Sequence, residues 1–145
     1  MKTLTGLTLL LSILLISCSN QPEPIIYGKD ACVHCKMTIM DTKFGAEIVT
    51  SKGRIYKFDA TECMVDFLKN KPEGLQNPKD MHMAVDVAVP GNLIDAHSAY
   101  FLKDEAFRSP MGGNLAAFNT RQMAENNLQS ADGEVFTWEE LLKRE

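Results

Sequence analysis

From residue 30 the chain reads Asp30-Ala31-Cys32-Val33-His34-Cys35-Lys36-Met37-Thr38-Ile39-Met40, a C-x-x-C-x-M arrangement of thiols and thioether. Two cysteines separated by two residues can turn both sulfurs towards one point. If the chain is extended beyond them, Cys35 and Met37 share a face, because side chains alternate with period two. A thioether is not protonated near neutral pH and binds hard cations poorly. Thiolate beside thioether therefore selects Cu(I) over calcium or magnesium outright and over zinc by preference. Two other chemistries use the same cysteines. A disulfide or structural zinc pair is one, with zinc needing Cys63 and a fourth ligand such as His34 or His82. The second half of a CxxC…CxxC or CxxC…HxxxH pattern is missing, however. A thiol–disulfide oxidoreductase is the other, but such a CxxC opens a helix inside a βαβ pattern, and here it precedes strand-like sequence.

The compartment follows from the amino end. Residues 1–17 carry Lys2, then an apolar run from Leu4 to Ile16, then Ser17 directly before Cys18. That run is too short for a membrane span, which needs about 20 residues to cross roughly 30 Å of hydrocarbon, so it reads as a signal peptide. Leu15-Ile16-Ser17-Cys18 resembles the bacterial lipobox, which implies cleavage before Cys18 and acylation of that residue; several acyl chains anchor firmly. Ser19 in place of Asp points to the outer membrane. Residues 18–24 form a polar, Pro-containing tether, a semi-extended spacer, and the folded part is expected over residues 25–145.

With Cys18 acylated, Cys32, Cys35 and Cys63 remain, an odd number in an oxidising compartment where structural thiols pair. Cys63 falls on the inner face of a helix pattern and reads as a buried core residue. Gap-filling in cores accounts for Met64 and Met123 but not for Met37 or Met111; Met81 and Met83 flank His82, and His97 carries no further signal. The whole chain, 145 residues with a formal charge of −4, has ordinary globular composition and no Lys/Arg-rich stretch, so nucleic acid is not an expected partner. No acid/base pair points to catalysis.

Short elements must position these residues. Strands are expected at Glu47–Thr50 and Ile55–Phe58 around the Ser51-Lys52-Gly53 turn. A helix is expected over Ala60–Asn70 with Asp59 as N-cap and Glu62 closing a capping box, ended by Pro72, Gly74 and Pro78. His82–Val89 reads as a strand closed by Pro90-Gly91, and Ala99–Leu102 as a strand or short helix. Gly53, Phe58, Asp59, Glu62 and Leu68 recur sixty positions later as Gly113, Phe118, Asn119, Gln122 and Leu128. The recurrence predicts an α+β protein of two small related ββα-type modules packed together. At the carboxyl end, Gly133 turns, Val135-Phe136 extends, and Thr137 with Glu140 caps a last helix that buries Trp138, Leu141 and Leu142.

Cys32 to Ile39, Phe58-Asp59 to Cys63-Met64, Ile94-Asp95-Ala96 with Ala99-Tyr100-Phe101, and Ser109-Pro110-Met111-Gly112-Gly113-Asn114-Leu115 to Phe118 together resemble the NosL copper-binding lipoproteins. The resemblance covers most of the mature chain in the right order. It implies a NosL-like fold and a Cu(I) chaperone, not an enzyme. The expected recipient is the ABC-type maturation machinery of periplasmic nitrous oxide reductase or another copper acceptor protein. It also implies copper ligation by Cys35, Met37 and Met111 with Cys32 close beside them. Pro110 and Gly112-Gly113 place Met111 at a turn, where a purely hydrophobic role is less expected. Many relatives carry Gly between the second Cys and the Met; Lys36 stands there in this chain, and its cation is expected to favour thiolate at Cys35.

Overall fold

The computed structural model describes residues 20–70 and 77–144. The signal peptide, Cys18, Pro72 and Gly74 lie outside those residues. Three antiparallel strands, β1 (Ala46–Val49), β2 (Ile55–Phe58) and β3 (Met81–Val85), are joined by the short β4 (Leu93–Asp95) in the order β2-β1-β3-β4. A second antiparallel sheet has β5 (Tyr100–Lys103) between β6 (Leu115–Phe118) and β7 (Glu134–Thr137). The helices are α1 (Thr61–Lys69), α2 (Arg121–Asn126) and α3 (Trp138–Arg144).

β1–β2–α1 and β5–β6–α2 are the two ββα units expected from the repeat. Ile55–Phe58 and Leu115–Phe118 occupy equivalent places, and each ends in a buried Phe one corner before a helix. The units do not have separate interiors. Phe101, Leu115 and Phe136 of the second sheet and Trp138 of α3 share one core cluster with Ile48 and Phe58 of the first sheet, Met64 of α1 and Cys32. Phe44 and Ala60 pack in turn with Leu102, Ala116 and Phe118. The sheets also touch through backbone, where Val87 N donates to Ala117 O at 2.9 Å. Sharing the interior answers the size problem, since neither module alone would bury enough apolar surface.

Several boundaries differ from expectation, each for a local reason. The N-cap of α1 is Ala60 without a side-chain cap bond, not Asp59. Asp59 instead accepts from Met40 N, and Glu62 turns towards Ser109 and Gly113. In α2 the cap is Thr120, whose Oγ1 accepts from Met123 N at 3.2 Å, one residue beyond Asn119. The strand expected through Val89 stops at Val85, because Asp86 takes Ala88 N at 3.0 Å and starts a turn completed by Gly91 at φ +81°. The last helix follows the sequence pattern: Thr137 Oγ1 accepts from Glu140 N, and Glu140 Oε2 accepts from Thr137 N at 2.8 Å. Beneath it Trp138 and Leu141 are buried and Leu142 half-buried.

Candidate metal centre

Residues 28–39 fold back as a narrow ribbon. Gly28 N donates to Ile39 O at 2.9 Å, Ile39 N to Asp30 O at 2.9 Å and Cys32 N to Met37 O at 2.8 Å, leaving Val33, His34, Cys35 and Lys36 as its tip. Lys36 closes the tip by donating its N–H to Cys32 O at 3.0 Å, at φ +68°. That left-handed conformation costs a side-chain-bearing residue about 1–2 kcal/mol, which gives a steric reason for Gly at this place. It also breaks the extended geometry expected from Cys35 to Met37. Cys35 is half-buried and Met37 is 45% exposed, so simple strand alternation does not place them on one face.

Val33 N donates to Lys57 O at 3.0 Å and pins the ribbon to the end of β2. The chain turns there at Asp59 and enters α1, whose first turn carries Cys63. The sulfurs of Cys32, Cys35 and Cys63 consequently lie within 4.8 Å of one another, and all three thiols are free. Cys32 and Cys63 are each 1% exposed, leaving Cys35 as the side from which the group meets solvent. Cys63 is thus both the buried residue expected and a member of the sulfur cluster, which its sequence context did not reveal.

The sulfurs are electrostatically unequal. Cys32 is held well below the ordinary thiol range, first because the Cys63 thiol donates to it, then because the backbone N–H groups of Asp59, Cys35 and His34 point at its sulfur. Cys63 is pushed up, first by that same hydrogen bond and then by burial. Burial also raises Cys35. The expectation that Lys36 would favour thiolate at Cys35 is therefore corrected: its ammonium donates to Val33 O at 2.6 Å, and desolvation dominates at Cys35. One anionic sulfur beside two neutral ones, in an apolar surround, suits a soft cation that displaces the remaining protons.

The other sequence candidates are distributed as follows. Met111 is 46% exposed on the turn from Ser109 to Gly112, closed by Gly112 N to Ser109 O at 3.0 Å. Glu62, the neighbour of Cys63, ties that turn to α1 by accepting from the Ser109 hydroxyl and from Gly113 N at 3.2 Å. His34 Nε2 lies 3.9 Å from Asp66. His82 Nδ1 and His97 Nε2 are 3.1 Å apart beside Trp138, lining a cavity of about 430 Å³ with Leu68, Lys69 and Leu142. Neither His34 nor His82 joins the cysteines as a fourth zinc ligand among the described residues.

Comparison with known proteins agrees with this architecture. The family model NosL matches residues 25–145. The copper-binding lipoprotein NosL of Stutzerimonas stutzeri is 29% identical over 149 aligned positions, covering 94% of this chain and 78% of that protein. The crystal structure of the copper chaperone NosL from Shewanella denitrificans superposes with a TM-score of 0.70 at 21% identity, covering 84% of this chain and 96% of the other.

Proposed function

Because the chain belongs to the NosL family, we propose that it is a lipid-anchored periplasmic copper chaperone that holds Cu(I) at Cys32, Cys35, Met37 and Met111 and passes it on by ligand exchange. The observation that carries this reading is the three-sulfur cluster, two members sealed in the core and the third at the surface. Cys63 joins the proposed ligand set on that ground.

The protein is not an enzyme; the transfer makes and breaks metal–sulfur bonds only. Cys35 is the one half-buried sulfur of the cluster and Met37 is 45% exposed, so a Cys, Met or His of an acceptor can enter past Cys35 before the buried sulfurs let go. Two or three of these sulfurs hold the ion at any one time and one side stays open; a closed cage of four protein ligands would bind more tightly and release slowly. The acceptor proposed is the maturation machinery of nitrous oxide reductase or of a related periplasmic copper protein. The chain is anchored through acylated Cys18, on the outer membrane by the Ser19 criterion. A CxxC oxidoreductase is less well supported, since this CxxC is the tip of a ribbon and opens no helix.

The test is anaerobic competition for Cu(I) against a chromogenic chelator. Cys35→Ala and Met37→Ala are each expected to weaken binding by more than about tenfold, or 1.4 kcal/mol. Wild-type competition by both variants would show that the site lies elsewhere.

A further inference from the structure

The tether does not hang free of the domain. Asn20 Nδ2 donates to Ser51 O at 2.7 Å, Glu23 N donates to the buried Glu47 carboxylate at 2.9 Å, and Lys57 Nζ donates to Pro24 O at 3.0 Å. These bonds lay residues 20–24 along β1 in the opposite direction, ending at the turn between β1 and β2. Gly53 sits in that turn at φ +78°, and a Cβ there would stand 3.0 Å from Asn20 Oδ1, so the turn and the tether are fitted to each other. Cys18 is only two residues before Asn20, which limits their Cα separation to about 7 Å.

We infer that the Ser51–Arg54 turn is a docking surface for anionic phospholipid headgroups, seated on the bilayer by the short link to acylated Cys18. This rests on the lipid anchor proposed above. Charge supports that occupant. Lys52 and Arg54 are exposed on the turn, and Lys79 is exposed beside it. The carboxylate bonded to the turn, Asp80, is buried and turned inward, accepting from Ser51 N at 2.7 Å and Asn77 N at 3.3 Å. The chain as a whole is acidic, with a formal charge of −4, so a cationic turn at the tethered end selects which side meets a negative surface. From Arg54 the chain leads away through β2 to Asp59, about 16 Å of extended backbone, and the cysteine cluster lies at that far end. Docking the turn therefore holds the sulfur site clear of the lipid, facing an acceptor.

The experiment is amine-reactive footprinting, read by mass spectrometry, of the full lipidated chain in detergent and in vesicles containing one part phosphatidylglycerol to two parts phosphatidylcholine. Labelling of Lys52 is expected to fall about fivefold in the vesicles, the change that roughly one cation–surface interaction produces. Lys79 should fall with it, while Lys29 and Lys36 react as in detergent. In Lys52→Glu/Arg54→Glu the protection of Lys79 should disappear while the protein stays on the vesicles. Acylated, vesicle-bound protein whose Lys52 labels as in detergent, or whose Lys36 is the protected lysine, overturns the docking surface and leaves the anchor standing. A chain without acyl mass at Cys18 that stays out of the vesicles overturns both.

Discussion

Replacing Ser109 by alanine tests whether the turn carrying Met111 is held in place for the metal. The Ser109 hydroxyl donates to Glu62 Oε1 and accepts from Asn114 N at 2.8 Å, in a buried setting. Its loss leaves the Glu62 carboxylate with the bond from its own backbone N–H and the 3.2 Å bond from Gly113 N, and strips Asn114 N of its acceptor. A hydrogen bond to a charged buried group contributes about 1.5–3 kcal/mol, so Ser109→Ala is expected to lose about 2 kcal/mol of stability. For a domain of this size that lowers Tm by roughly 6–8 °C. If the same bonds order the Met111 turn before copper arrives, part of that free energy reappears in binding. The ceiling is about a 30-fold loss of Cu(I) affinity. Thermal unfolding gives the first quantity and chelator competition the second. The variant should weaken Cu(I) binding in the wild-type background and add nothing to Met111→Ala, because a turn without its thioether has no ligand left to position. The reasoning is refuted if Ser109→Ala lowers Tm while Cu(I) binding stays at the wild-type value and Met111→Ala alone weakens it. It is refuted equally if the two losses add in the double variant.

Three further outcomes follow from the same geometry. Cys63→Ala should weaken Cu(I) binding by more than about tenfold in the same competition, whereas a core cysteine with no metal role would change only Tm. Lys36→Gly should leave stability within about 1 kcal/mol of wild type, since relief at φ +68° is offset by a more flexible unfolded chain; Lys36→Val, with a branched side chain in that conformation, should be less stable than Lys36→Gly by denaturant unfolding. Asp104 accepts from the backbone of Ala106, Gln129 and Ser130 and from the Ser130 hydroxyl, and these bonds hold its carboxyl well below the usual range. A depressed folded-state value stabilises above the unfolded value near 4 and is lost as pH falls below it, so Asp104→Asn should lower Tm at pH 7 by more than it does at pH 3.

Much of this was legible because short-range chemistry decides it. Ile55–Phe58 and the Thr137/Glu140 cap stand where the alternating pattern and the capping residues put them, and the recurrence of Phe58 and Phe118 before a helix marked the two units. What escaped the sequence depends on contacts between distant segments. Glu62 has the spacing of a capping box, but a partner 47 positions away competes for its carboxylate and wins. Cys63 looks like core because it is core; that its sulfur meets Cys32 and Cys35 follows only from the ribbon being pinned to Lys57 O. Period-two alternation failed at Lys36 because one left-handed residue rotates everything after it. The sheet order β2-β1-β3-β4, in which β1 is central, is likewise a matter of long-range pairing.

The most direct test of the central claim is X-ray absorption at the copper edge of the anaerobically loaded protein. Sulfur is predicted as the neighbouring element, with an edge typical of the cuprous ion, and Cys63→Ala should lower the sulfur count. A first shell of oxygen and nitrogen alone would contradict the account.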